Sequence, residues 1–424
     1  MPGGVLELYA IGREDVSLIG NPQMSFFRTV YHRHTNFAIE PVIEKLHGTL
    51  DFGRKVHFKL PHRADLINEC YLVIDLPDLV DSSGTHTFSW CNGIGHAIIE
   101  YIEIEIGGVI IDRHYGQYLD IRSELTTPVG KKNAMNNMVR KFPIFDASMN
   151  DGAYRLYVPL QFWFNKNVGS SLPVVGLQHS DIIFNIKLRK LEDIWIHNSD
   201  TTLIHNKCPN RCQIGEMYML INYIYLGNAE RKFFANPKKN GKCITLEYVI
   251  EQIQLETTGL GDNIDHYIPL TFRHPVKELI WVIQRPSVMA IGSDNGNEWF
   301  NYSDRQYNST SGPGGGTTPK DNMISAELQL EGQYRFERMY AEYFRIIQPF
   351  ERHTNVPENF IYCYSFALKP EELQPTGSLN FSVIDKAHLH IKTISGLSDP
   401  YIYIYAINYN WIEIADGQCR LRYK

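Results

Sequence analysis

The sequence predicts an all-β protein built from two similar sandwich or jelly-roll domains, and three observations carry that reading. Short segments with period-two alternation dominate. In the clearest of them Ile102, Ile104 and Ile106 face one way, while Glu103 and Glu105 face the other and are expected on a wet face. Aromatic residues make up 12% of the chain, with 25 Tyr and 21 Phe, and such side chains fit a pleated, half-buried surface. The chain also repeats itself. Ile104–Leu119 (IEIGGVIIDRHYGQYL) matches Leu328–Phe344 (LQLEGQYRFERMYAEYF). Ile104 and Ile106 align with Leu328 and Leu330, and Gly108 aligns with Gly332. After one inserted residue, Asp112-Arg113 aligns with Glu337-Arg338, and Tyr115 and Tyr118 align with Tyr340 and Tyr343. Upstream, Asn68–Ile74 resembles Lys277–Ile283.

The remaining elements follow in chain order. Strands are expected over Cys70–Leu76, Ile102–Ile106, Asp181–Leu188, Tyr218–Leu226, Tyr248–Leu255, Glu278–Ile283, Ala326–Leu330, Phe360–Ala367, His388–Ile394 and Tyr401–Ile414. Turn residues separate them: Gly107-Gly108, Asn150-Asp-Gly152, Asn240-Gly241, Pro370 and Pro375. Helical patterns are few. The best are Tyr115–Leu125 and Tyr340–Ile347, closed by Pro128 and Pro349. A chain of 424 residues exceeds one compact core, so two domains of roughly 200 residues are expected. The turn-like stretch 205–217 is the predicted boundary. Glu69 and Ile104 lie 35 residues apart and Glu278 and Leu328 lie 50 apart. The second half therefore carries about 15 extra residues, placed in Ser293–Asp321. That polar, Gly/Ser/Thr-rich stretch reads as a long exposed loop.

Charge and cysteine content narrow the function classes. The formal net charge is −6 and no long basic tract occurs, which argues against direct DNA packaging, because phosphate neutralisation needs clustered Lys and Arg. Seven Cys at this length argue against a disulfide framework and for synthesis in a reducing compartment. The N-terminal segment lacks a signal-peptide pattern, and no window of 18 apolar residues occurs.

Several ordered blocks carry a family resemblance. They are Gly20-Asn-Pro-Gln23, Phe26–Phe37, Ile110–Gly116, Tyr157–Phe164, Glu230-Arg231, Glu251-Gln252, His274–Trp281 and Gln348-Pro349. The strongest run is Tyr364–Glu372, followed by Gln374-Pro375, Gly377 and Asn380–Ser382. On these the chain resembles the major capsid proteins of nucleocytoplasmic large DNA viruses (chloroviruses, iridoviruses and giant viruses) over nearly its whole length. The resemblance implies an all-β double jelly roll: two consecutive eight-stranded jelly rolls with a few short helices in loops. Its expected division is an N-terminal extension over 1–25, a first jelly roll over 26–212 and a second over 213–424. The resemblance further implies a non-enzymatic homotrimer forming pseudo-hexagonal capsomers. These would tile the facets of an icosahedral virion, against neighbouring capsomers and minor capsid proteins under the shell. No direct nucleic acid contact and no membrane span are expected, and synthesis is expected in the host cytoplasm. Alternatives are a minor capsid paralogue or a jelly-roll glycan-binding surface module.

Candidate chemistry is sparse, and no catalytic, cofactor or metal site is expected. Cys208 and Cys212, with His197 and His205, form one loose pair where zinc usually takes two tight ones. His32 and His34 lie in an Arg-His-Thr-Asn context repeated at Arg352–Asn355, which reads as polar packing. Tyr401, Tyr403, Tyr405, Tyr409 and Trp411 form an aromatic stripe. Without basic residues between them, it reads as packing at a domain or subunit contact rather than base stacking. The pairs Glu103/Glu105 and Glu371/Glu372 lack the other parts of a glycosidase site. No Ser/His/Asp elbow, P-loop or dinucleotide fingerprint occurs. Sequons at Asn301, Asn308 and Asn380 are possible glycosylation sites, the first two in the long loop.

Overall fold

The strands sort into two copies of one topology. In the computed structural model, residues 3–79, 88–142, 152–197, 212–235, 238–239, 242–288, 297–304 and 319–423 are described. The first copy comprises β1 (Phe37–Lys45), β2 (Lys55–Lys59), β3 (Leu66–Leu76), β4 (Ile99–Ile106), β5 (Val109–Tyr115), β6 (Tyr154–Pro159), β7 (Ile182–Leu188) and β8 (Met217–Leu226). The second comprises β9 (Leu246–Gly259), β10 (Asp265–Pro269), β11 (Pro275–Gln284), β12 (Met323–Leu330), β13 (Gln333–Tyr340), β14 (Tyr362–Ser365), β15 (Ala387–Thr393) and β16 (Tyr401–Ala415). One sheet of the first copy runs β1-β8-β3-β6 and the other β2-β7-β4-β5. The second copy repeats both orders, as β9-β16-β11-β14 and β10-β15-β12-β13. Two antiparallel sheets with four main strands in this order are a jelly roll, and there are two of them in tandem. The short strands Leu379–Asn380 and Gln418–Leu421 widen one sheet of the second to six.

Alternation explains the inner faces. Along β7, Ile182, Phe184, Ile186 and Leu188 are buried while the residues between are half-buried, and on β2 Val56 and Phe58 turn inward. β11 is buried along nearly its whole length and β16 along its centre. A strand covered on both faces is apolar almost throughout, as Leu279–Ile283 is. The repeated hairpins have a local cause. Gly107 and Gly108 take φ of 60° and 82°, and Glu331 and Gly332 take 49° and 78°. Two consecutive left-handed residues make the turn that matches strand twist, hence Gly at the second position of both copies.

Three expectations are corrected. The boundary near 212 is too early, because Met217–Leu226 pairs with β3 in the first copy's sheet, Met219 opposite Leu72 and Ile221 opposite Cys70. The first jelly roll needs this strand as its eighth, so the switch between copies falls between Leu226 and Leu246. Glu103 is not on a wet face. Its side chain is buried beneath Arg113, 2.8 Å away, and Lys55, 3.4 Å away. Pro349 does not end the second helix. Tyr343–Ile347 is a π turn and Pro349 sits in the first turn of Gln348–Arg352, where its missing N–H costs little.

Residues 1–37 form a separate unit. It carries short helices at Gly3–Tyr9 and Val16–Ile19, the second preceded by Asp15, whose carboxylate accepts the Gly12 N–H at 2.7 Å. Among the described residues no helix is long and apolar enough to cross a membrane.

Candidate functional site: a buried joint and exposed assembly surfaces

The two jelly rolls meet around one helix of the first, Gly116–Thr126, in which Gly116–Leu125 are buried. Its amphipathicity is weak because both faces are covered. Tyr118 packs against Tyr405 with ring centres 5.6 Å apart, and the Tyr405 hydroxyl donates to Gln117 Oε1 at 2.7 Å. The aromatic stripe thus serves in part as domain packing. Both carboxylates of this helix are partnered. Lys141 Nζ lies 2.7 Å from Asp120 and 2.5 Å from Glu124. Asn359 donates to Glu124 at 2.7 Å, tying the helix to the second roll. Burial opposes ionisation of Asp120, but Lys141 and His96 hold its carboxyl below the ordinary range.

Arg122 continues this network into the second roll, 4.0 Å from Glu278. His353 is bracketed by two carboxylates: Nε2 contacts Glu278 and Nδ1 lies 2.9 Å from Glu371. Burial alone would discharge this imidazole, yet the carboxylates raise its pKa well above the ordinary value. Glu371 is held at about 2. Burial opposes this, and hydrogen bonds from His353 and Thr354 outweigh it. Alongside, Glu251 pairs with both Lys166 and Lys277. Burial pulls Lys277 down to about 8 despite that partner. Glu278, His353 and Cys363 offer three ligand atoms within 4.8 Å of one another, a spacing a metal could use. Both His353 nitrogens are engaged by carboxylates, burial pushes the Cys363 thiol up, and Arg122 with His353 already balances the two glutamates. The arrangement reads as an ionic clamp.

A strap from the second roll completes the joint. Asn297 donates to the carbonyls of Glu192 and Trp195 at 3.0 and 2.7 Å. Trp299 Nε1 donates to Asp193 O at 2.7 Å, and the Arg189 guanidinium lies 3.6 Å over the Trp299 ring. Gly93 is tight here: a Cβ would come within 2.9 Å of Phe300. These residues belong to the stretch expected as an exposed loop. Residues 297–304 are instead packed on the first roll, and 293–296 and 305–318 lie outside the described residues.

Exposed apolar surface lies elsewhere. In the N-terminal unit Leu18, Phe26, Phe27 and Tyr31 are each more than four-fifths exposed, a pattern that marks contact surface. β1 exposes Ile39 and Ile43, and β13 exposes Tyr334, Met339 and Tyr340. Phe350 projects from the helix after β13.

The sequence-predicted positions are scattered. Asn301 is buried, donating to Glu298 at 2.5 Å and accepting from Ser303 N and Oγ at 3.0 and 2.7 Å. The expectation that it sits on an exposed loop is corrected, since aromatic neighbours such as Phe300 and Tyr302 draw the segment inward. Asn380 is exposed, with Oδ1 accepting the Ser382 N–H at 3.0 Å. Asn308, Cys208 and His205 lie outside the described residues, as does the His197 side chain. Cys212 is half-buried, and His32 and His34 are exposed in the N-terminal unit. Of the Arg-His-Thr-Asn pair only the second copy, at His353, enters the clamp. The clamp as a whole went unanticipated. Its signal was Lys277-Glu278 placed directly before the apolar run Leu279–Ile283, an expensive position for charge without partners.

Comparisons with known proteins agree with this architecture. Residues 25–227 match the family model described as major capsid protein N-terminus, and residues 238–419 match that for large eukaryotic DNA virus major capsid protein. The chain is 32% identical to the major capsid protein of Pyramimonas orientalis virus and 30% to that of Paramecium bursaria Chlorella virus 1, covering all of each chain. Among solved structures, the PBCV-1 virus capsid quasi-atomic model superposes with TM-score 0.78 at 27% identity, over 94% of this chain and 100% of that one. The Faustovirus major capsid protein, at 11% identity and TM-score 0.75 over 96% of this chain and 94% of that one, shares the fold.

Proposed function

The chain belongs to the major capsid proteins of large eukaryotic DNA viruses, structural shell proteins and not enzymes, and from that premise we propose that three copies close into a homotrimeric capsomer. Six jelly rolls then give a pseudo-hexagonal outline that tiles the facets of an icosahedral shell. The observation carrying this reading is the duplication itself: two rolls of identical strand order, joined within one chain by a buried ionic clamp. A capsomer works through buried complementary area rather than chemistry at one residue. Contacts between capsomers can be weaker, because many act together.

The apolar N-terminal unit is the surface offered to neighbouring capsomers or to minor capsid proteins beneath the shell. Synthesis in the host cytoplasm fits the buried, unoxidised Cys70 and Cys363. Among the described residues Asn380 is the sequon positioned for a glycan, and intact-mass measurement of virion protein reads it directly.

The decisive experiment is light scattering of the purified full chain. A species near three times 49.0 kDa is expected, and a strict monomer over a wide concentration range overturns the reading. Deleting residues 1–25 is expected to leave folded trimers that fail to build shells. Normal shells from that variant would remove the role given to the N-terminal unit.

A further inference from the structure

The joint inside the chain has an unfilled counterpart on its outside. β9 of the second roll lies against β5 of the first. The Gln252 amide donates to the Ile111 carbonyl, and the Ile253 N–H donates to Asp112 Oδ1 at 3.0 Å. Asp112 on β5, which accepts from β9, is buried, and its other oxygen contacts the buried His114 at 2.8 Å. β13 is the same strand in the second roll, yet Tyr334, Arg335, Glu337, Arg338, Met339 and Tyr340 are all exposed on it. The strand equivalent to β9 is β1. Val42-Ile43-Glu44-Lys45-Leu46 matches Val249-Ile250-Glu251-Gln252-Ile253. Glu44 and Glu251 are both buried and face equivalent tyrosines: Tyr223 donates to Glu44 at 3.2 Å, and Tyr409 stands opposite Glu251 in the ladder. Ile250 is 1% exposed, whereas Ile43 is 59% exposed.

Among the described residues, each chain therefore has one β5–β9 contact satisfied internally and one strand of each kind left exposed. We propose that β13 of one copy docks on β1 of a second copy, repeating between chains the contact that β5 and β9 make within one. This rests on the trimer reading above and deepens it by naming the surface. A head-to-tail contact of unlike surfaces closes into a ring when its rotation allows, and the internal contact supplies the matching step. Charge favours the pairing. Lys45 is the sole cation of β1 and stands in the place of Gln252. Glu337 is the sole acid of β13, in the sequence match to Asp112. Glu40 on β1 likewise faces a strand rich in arginine, Arg335 and Arg338. The exposed apolar residues, Ile39 and Ile43 against Tyr334, Met339 and Tyr340, supply the water-excluding part of the contact.

The test compares the full-length chain with Lys45→Glu, Glu337→Lys and the double swap, by native mass spectrometry and light scattering across concentration. Each single reversal is expected to raise the concentration at which trimers dissociate by at least about ten-fold, with the double swap returning to within about three-fold. Both positions are solvent-exposed in the single chain, and unchanged circular dichroism confirms folding. Zero-length carbodiimide coupling of the unmodified trimer is expected to join Lys45 to Glu337 between chains, a readout independent of any variant. Trimers indifferent to both reversals, a swap that fails to restore them, or the absence of that cross-link overturns the β13–β1 contact while leaving the trimer standing. A monomeric unmodified chain overturns the trimer itself.

Discussion

Glu69 and Glu278 occupy the same place in the two jelly rolls, on β3 and β11, and meet opposite fates. Glu69 is exposed, its carboxylate receiving the Asn222 amide at 2.9 Å. Glu278 is fully buried between Arg122 and His353. The same holds for β5 and β13, matched in topology but covered in one case and bare in the other. Duplication therefore set the strand order, while the neighbour of each strand set which polar groups had to be paired. A buried carboxylate persists only with cations and donors around it, so the clamp is confined to the roll surface that the other roll covers.

This contrast can be broken by substitution, the largest effects first. Glu278→Ala leaves Arg122 and His353 buried without their shared anion and is expected to cost about 3–5 kcal/mol in chemical denaturation. Gly116→Ala follows, since a Cβ would lie 2.2 Å from His96 O and 2.3 Å from Ile99 O. Overpacking against backbone is expected to cost about 1–3 kcal/mol. The reciprocal change at the matched position, Ala341→Gly, removes a buried methyl from a helical position and is expected to cost about 1–2 kcal/mol. Glu69→Ala is the smallest, within about 0.5 kcal/mol. Equal costs at Glu69 and Glu278 would dissolve the distinction between the two rolls.

Acid gives a complementary measurement. Glu371, held at about 2 against an ordinary 4.5, contributes stability that is present above pH 4.5 and lost as pH falls toward 2. His353 has the opposite sign. Its raised pKa contributes fully below pH 6.5, and that contribution is lost only as pH rises through the elevated folded value. Thermal unfolding followed from pH 7 to 3 should show the melting temperature dropping below pH 4.5. Glu371→Gln should flatten that drop while leaving the profile above pH 5 nearly level. An unchanged acid limb in the variant would place the acid sensitivity elsewhere.

Much of the fold was legible in the residues. Alternation located β4 and β7, and the strand candidates Glu278–Ile283 and Tyr401–Ile414 fall on β11 and β16. The Gly108 and Gly332 turns mark the duplicated hairpin in the sequence itself. What escaped were features decided by distant partners. Residues 205–217 look like a boundary by composition, but only pairing with β3 shows that Met217–Leu226 closes the first roll. Glu103 alternates as a surface residue should, and is buried because Arg113 and Lys55 fold over it. Asn301 sits in polar sequence, yet Trp299, Phe300 and Tyr302 pull its segment onto the first roll. The clamp joins residues as far apart as Arg122 and Glu371, a distance no local pattern spans.

One consequence follows from the connector between β8 and β9. Because a single chain runs through 227–245, the β5–β9 contact forms at the high effective concentration of a tether, before any two chains meet. In the proposed ring every second contact is thus prepaid by synthesis, and only the β13–β1 contacts depend on how much protein has accumulated. A cell filling with this chain would hold loose double units at first and commit to rings past a threshold, so that the covalent link works as a timer as well as a joint.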